Sequence, residues 1–118
     1  MTLVALYAIA VAILVAGMWS VSLWTGNVPE LTTKPWEIRL HITAELAMAA
    51  VLLAAGAMQL AGSPVGPGLL AIGLGMTAYS IVNSSGYYVE RRQWPPVVLF
   101  AVLFALTLGA IAVVVTQG

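Results

Sequence analysis

The chain has 118 residues, of which 62% are hydrophobic and only 7% are charged, and it contains no cysteine. A soluble domain usually has about a quarter charged residues, so this composition excludes an ordinary water-soluble fold and favours an integral membrane protein. The absence of cysteine excludes thiol catalysis, disulfides and thiolate metal sites. Basic and acidic residues balance to a formal net charge of zero, and without a basic patch we expect no nucleic-acid partner.

Four long apolar segments predict four transmembrane helices. A helix rises ~1.5 Å per residue, so roughly 20 apolar residues cross the hydrocarbon core of a bilayer. Barrel strands would alternate polar and apolar residues, whereas these segments are apolar on every face. We therefore predict an all-α, single-domain, four-helix transmembrane bundle with short loops, whose helices are Leu3–Trp24, Trp36–Ala61, Gly68–Ser85 and Pro95–Thr116.

Glycine and proline indicate where these helices end. The segment Gly62–Gly68 holds two prolines and three glycines and predicts a turn, because proline and glycine interrupt helices. The run Asn83–Gly86 predicts the end of the third helix, with Gly86 free to take a positive φ. The first apolar segment lacks the basic start of a signal peptide, and we expect it to be retained as a helix.

Every charged residue lies in or next to the two loops that follow the first and third predicted helices. The basic residues are Lys34, Arg39, Arg91 and Arg92. The acidic residues are Glu30, Glu37, Glu45 and Glu90. Four crossings put these two loops on one side and both termini on the other. Loops rich in Lys and Arg stay in the cytoplasm, so we predict a multi-pass protein of the cell membrane with cytoplasmic charged loops and with N- and C-termini outside.

The second helix carries the most informative polar pattern. Glu37, His41 and Glu45 are four residues apart and share one helical face. Glu45 lies ~13 Å along the helix axis from Trp36, which places it inside the hydrocarbon region. A carboxylate there is costly and usually faces the bundle interior, so this face predicts the inside of the molecule.

The first and third helices add further polar residues towards the same end. Tyr79, Asn83 and Tyr87 follow one another at intervals of four. We predict a polar pocket near the cytoplasmic end, and its candidate ligand- or ion-binding residues are Glu37, His41, Glu45, Tyr79, Asn83, Trp19, Ser22 and Tyr87. A structural alternative exists for several of them: Glu37 complements the helix dipole, and His41 with Glu45 forms a pair that fixes helix packing.

The function predicted from this pattern is a small membrane protein that acts as an oligomeric bundle or as a subunit of a membrane complex, with lipid and other membrane subunits as partners. One histidine without cysteine does not predict a metal site, no catalytic residues are predicted, and no cofactor is indicated. A first alternative is a small proton- or ion-coupled transporter or channel that uses an intramembrane Glu–His pair. A second is a membrane protein or enzyme that binds a lipid- or quinone-type ligand.

Overall fold

The computed structural model describes residues 1–117, and within that range the chain is helical, with no strand. The helices are α1 (Thr2–Trp24), α2 (Glu30–Thr33), α3 (Pro35–Leu60), α4 (Gly66–Glu90) and α5 (Trp94–Gln117). The all-α prediction is confirmed. α2, a single turn of helix in the loop between α1 and α3, was not predicted.

Three of the helices, α1, α3 and α5, are long and apolar enough to cross a membrane, which indicates a membrane protein. The fourth long helix, α4, has 25 residues but is not among them. Serine, threonine, asparagine and glycine interrupt its apolar sequence and lower its mean hydropathy.

The long helices pack antiparallel in chain order, α1 on α3, α3 on α4 and α4 on α5. Near one end, Trp19 of α1 contacts Glu45 of α3, whereas near the other end Gly56 of α3 lies against Ala5 of α1. We call the first the charged end, because it holds the connections 25–34 and 91–93. The second is the turn end, which holds the connection 61–65 and both ends of the described chain.

Side chains of α1 meet α5 in the half of the bundle towards the turn end. The Tyr7 hydroxyl lies 2.7 Å from the buried hydroxyl of Thr107 and donates to the carbonyl of Leu103 at 3.3 Å. Val4 and Val114 belong to one apolar core cluster. Small and branched side chains fill this core: Ala8, Ala12, Ala49, Leu52, Ala55, Leu70 and Leu74.

Three long helices end in the same Schellman motif, in which a residue with positive φ follows the last turn. That residue is Gly26 after α1, Gly62 after α3 and Arg92 after α4, with φ of 70°, 78° and 53°. The predicted end of the third helix at Gly86 is therefore wrong. The helix continues to Glu90, since the serines before Gly86 do not break it: Ser85 bonds back to the carbonyl of Val82 within the helix.

The predicted turn at 62–68 is shorter in the structure. Proline lacks a backbone N–H and its φ suits the first helical turn, so Pro67 lies inside the start of α4 instead of preceding it. In a similar way, Pro35 is the first residue of α3 and Pro95 is the second residue of α5. Compared with the predicted segment Gly68–Ser85, α4 gains two residues at its start and five at its end.

Candidate functional site

The side chain of Glu45 lies between α1, α3 and α4 in the half of the bundle towards the charged end. The residue is 7% exposed, and it is the one acidic or basic residue among the buried residues of the described chain. The next three turns of α3 continue the same inward face, where Met48, Leu52 and Gly56 are buried. The expectation that this face of α3 points into the bundle is met at these positions.

Four side chains surround the Glu45 carboxylate. The indole Nε1–H of Trp19 donates to Oε2 at 2.6 Å. The hydroxyls of Ser80 and Ser84 donate to Oε1 at 2.9 Å and 3.3 Å. His41 Nε2 lies 3.3 Å from the same Oε1. Three helices therefore converge on one carboxylate.

Helical spacing explains how these groups reach the same place. His41 precedes Glu45 by one turn on α3, and Ser80 and Ser84 are one turn apart on α4, so each pair shares a face. Trp19 approaches from α1, and its ring packs edge-on against the imidazole of His41 with 5.9 Å between ring centroids. The indole thus contacts both members of the His41–Glu45 pair.

The hydrogen bonds make this burial tolerable. A carboxylate at bilayer depth costs several kcal/mol unless it is paired or hydrogen-bonded. Serine and tryptophan supply three donors to Glu45, and an imidazole that donates through Nε2 supplies a fourth. The resulting network stabilises the contacts among α1, α3 and α4.

A cleft of about 380 Å³ opens beside this carboxylate between α3 and α4. The α3 wall consists of His41, Ala44, Glu45 and Met48. The α4 wall consists of Gly75, Met76, Tyr79, Ser80 and Asn83. Several of these residues are exposed, so the cleft opens on the outer surface of the bundle.

Five of the eight predicted site residues lie at this site. His41, Glu45, Tyr79 and Asn83 line the cleft, and Trp19 bonds to Glu45 from the side of α1. The sequence spacing placed His41 and Glu45 together correctly, because both lie on one helix.

The other three predicted residues lie outside the network and the cleft lining. Glu37 is exposed in the first turn of α3, and Ser22 is half-buried near the end of α1. Tyr87 is exposed towards the charged end, where the guanidinium Cζ of Arg91 lies 3.5 Å from its ring centroid. Glu37 and Tyr87 extend the predicted polar faces of α3 and α4 towards the charged end, and both lie beyond the site.

The inward face of α4 also differs from the predicted one. The predicted polar stripe runs through Tyr79, Asn83 and Tyr87, but Tyr79 is 75% exposed and forms the rim of the cleft. The carboxylate instead bonds to Ser80 and Ser84, which were not predicted. A rotation of one residue, ~100° about the helix axis, separates the two stripes.

A weak sequence signal for the serines was present. Ser80 and Ser84 repeat at four residues, and Thr77 and Gly73 continue the same side of α4 towards the turn end. Thr77 is 2% exposed and bonds to the carbonyl of Gly73. A stripe of small polar residues is a good candidate for a close helix contact, and it would have indicated this face.

The arrangement provides one acidic group, one imidazole, two hydroxyls and an adjoining space that is partly apolar. No group of three His, Cys, Asp or Glu residues within positions 1–117 is placed to hold a metal ion. The side chains present at the cleft can form hydrogen bonds, and an ionised Glu45 can attract a positive charge.

Comparison with known proteins identifies the family without assigning a role to this site. No curated protein and no solved structure matches the chain. A family model described as a domain of unknown function, DUF8058, matches residues 1–118. The chain belongs to the DUF8058 family.

Proposed function

We propose that this protein crosses the membrane four times and binds a small amphipathic ligand from the bilayer in the cleft beside Glu45. The observation that carries the proposal is a buried carboxylate that accepts three side-chain hydrogen bonds and forms part of the wall of a cleft of about 380 Å³. Ligand sites typically combine apolar walls with a few convergent polar groups, as this cleft does.

Chain connectivity supports a fourth crossing by α4. The apolar helices α3 and α5 lie on either side of it, and α3 ends at the turn end whereas α5 begins at the charged end. If α3 and α5 both cross the bilayer, α4 must return across the same thickness. Its 25 residues extend ~37 Å at 1.5 Å per residue, which is long enough.

The orientation in the membrane follows from four crossings and from the positions of the basic residues. Lys34, Arg39, Arg91 and Arg92 all lie at the charged end. The positive-inside rule puts this end in the cytoplasm and both termini outside. The cleft then lies within the cytoplasmic half of the bilayer and opens towards lipid, so its ligand arrives from the membrane.

Single-cysteine labelling tests the topology directly, because the chain contains no cysteine of its own. The variants are Thr33→Cys, Ser63→Cys and Gln93→Cys, each labelled with a membrane-impermeant maleimide in right-side-out and inverted vesicles. We expect Thr33→Cys and Gln93→Cys to react on the cytoplasmic side and Ser63→Cys on the other. If Ser63→Cys and Gln93→Cys are labelled from the same side of the membrane, α4 does not cross it.

Native mass spectrometry of the gently solubilised protein tests ligand binding. The variant Glu45→Gln keeps the shape of the side chain, and its amide can accept from Trp19 and donate to the serine hydroxyls. Glu37→Gln makes the same chemical change at an exposed position of α3 and serves as the control. We expect a stoichiometric small-molecule mass on the wild type and on Glu37→Gln that is reduced on Glu45→Gln. A wild-type protein without such a mass would overturn the binding role.

A second role, self-association within the membrane, is favoured by the outer face of α5. Only Thr107 and Val114 of this helix are buried. On its opposite face Ala101, Ala105 and Gly109 repeat at intervals of four and are exposed. Small residues at this spacing allow transmembrane helices to approach closely.

Disulfide trapping tests this second role. We expect Gly109→Cys to form cross-linked dimers in membranes more readily than Leu99→Cys, an exposed position on a different side of α5. Equal cross-linking at both positions would count against a specific contact.

A further inference from the structure

The electrostatic character of the cleft restricts the ligand that it suits. None of the nine residues that line it is lysine or arginine, and one is the buried Glu45. In the state in which Glu45 is ionised and His41 is a neutral imidazole, the lining carries one negative charge and no positive charge. Charge attraction is stronger in a water-poor environment, so in this state the cleft favours a cation over a neutral or anionic molecule.

The hydrogen bonds already made by Glu45 narrow the class of cation. A carboxylate offers about four lone-pair sites. Trp19, Ser80 and Ser84 bond to three of them, and His41 approaches the same oxygen as the serines. A ligand therefore meets the charge of the carboxylate with little free hydrogen-bonding capacity, which suits a cation whose charge is delocalised or carries no N–H donor.

The remaining walls suit the same kind of cation. Met48 is buried at the cleft and Met76 is half-buried, and thioether side chains are soft and adapt to irregular shapes. Tyr79 stands at the rim with most of its ring exposed. An aromatic face attracts a cation within about 6 Å of the ring centre, most strongly when water is excluded.

We infer that the ligand of this cleft is a lipid-soluble organic cation, of the quaternary ammonium or phosphonium type. This inference rests on the proposed function, because it names the ligand class of the same cleft. The cation lies near Glu45, and its apolar substituents extend between α3 and α4 towards the lipid. The carboxylate remains bonded to Trp19 and the serines, so binding requires no rearrangement of the network.

The test uses two probes of nearly the same shape and opposite charge, tetraphenylphosphonium and tetraphenylborate, together with a neutral short-chain quinone. Binding of each is measured by equilibrium dialysis against the full-length protein in lipid nanodiscs, with empty nanodiscs subtracted. We expect tetraphenylphosphonium to bind the wild type at a stoichiometry of about one and tetraphenylborate to show no saturable binding. Because this comparison uses the wild type, it does not depend on the folding of any variant.

Variants then locate the binding. Glu45→Gln is expected to weaken tetraphenylphosphonium binding at least about tenfold, because the charge attraction is lost. Tyr79→Leu should weaken it about two- to fivefold through loss of the aromatic contact. Glu37→Gln should bind like the wild type. Circular dichroism and size-exclusion chromatography establish that each variant is folded.

The outcomes separate this inference from the function on which it rests. If the quinone or tetraphenylborate binds saturably and at least as tightly as tetraphenylphosphonium, the cation assignment is overturned. The cleft would still be a ligand-binding site. Cation binding that is equal in the wild type and in folded Glu45→Gln also overturns it. If no probe binds saturably and no small-molecule mass accompanies the purified wild type, both the inference and the proposed ligand-binding function fall.

Discussion

The two halves of the bundle hold their helices together in different ways. Towards the turn end, helices approach so closely that a Cβ on Gly56 would lie 2.6 Å from Cγ1 of Ile9 and 2.8 Å from the backbone oxygen of Ala5. Towards the charged end, four side chains surround Glu45 and a cleft of about 380 Å³ remains beside it.

This difference separates a half in which close packing holds the helices from a half in which hydrogen bonds link them beside an open cleft. Close packing leaves no room for a ligand, and its stability depends on side-chain volume. At the charged end, hydrogen bonds to the Glu45 carboxylate link the helices through side chains, and a cleft opens beside them between α3 and α4. We expect stability to respond to volume at the turn end and to hydrogen-bonding capacity at the charged end.

The largest effect is expected from Gly56→Ala. The added methyl group overlaps backbone oxygen as well as side chain, and overpacking of this kind costs about 1–3 kcal/mol. The measurement is unfolding of the purified protein by sodium dodecyl sulfate titration, followed by circular dichroism. Gly17→Ala on α1 is the control, because a Cβ there has no neighbour within 4 Å. If both variants unfold alike, the turn end is not closely packed.

An intermediate effect is expected from Trp19→Phe. This change removes the N–H that donates to Glu45 Oε2 but keeps an aromatic ring beside His41. The free energy of unfolding should fall by about 1 kcal/mol. This value lies between the mean of about 0.6 kcal/mol for hydrogen bonds inside membrane proteins and the roughly 1.5–3 kcal/mol for hydrogen bonds to charged groups. Trp24→Phe is the matched control, since Trp24 is 91% exposed. Equal losses would contradict a specific role for the indole N–H.

The smallest effect is expected from Thr107→Val. Valine fills nearly the same volume but removes the hydroxyl that bonds to Tyr7, and such bonds are worth about 0.6 kcal/mol on average in membrane proteins. Thr116→Val, at an exposed position, is the control. The double variant with Tyr7→Phe should lose less than the sum of the two single losses, because both changes remove the Tyr7–Thr107 bond and Tyr7→Phe alone also removes the bond to Leu103. A loss larger than that of Trp19→Phe would remove the distinction between the two halves.

Several features could be predicted from the sequence because they depend on local spacing. From the end of α1 to the start of α5, each end of a long helix lies close to an interruption by proline, glycine or charge, and α1 and α5 differ from their predicted bounds by one residue at most. The pairing of His41 with Glu45 follows from one turn of a single helix. The cost of a carboxylate in a lipid-facing position predicted that this face turns inward.

The features that the sequence could not supply depend on how separate helices are rotated against each other. Polar residues lie on two neighbouring stripes of α4, and the sequence offers no decisive apolar face that would select the one carrying Ser80 and Ser84. The extension of α4 to Glu90 likewise depends on Arg92 taking the positive φ that the sequence assigned to Gly86.

The sequence by itself determined an all-helical chain of membrane-like composition, with its charges at one end and an acid–imidazole pair on an inward face. These properties follow from residue type and helical period. Only the tertiary structure decided that Trp19 and two serines satisfy the carboxylate and that a cleft opens beside it. Both depend on the distances and rotations between packed helices, which are fixed by close contacts such as the one at Gly56 and not by any single segment.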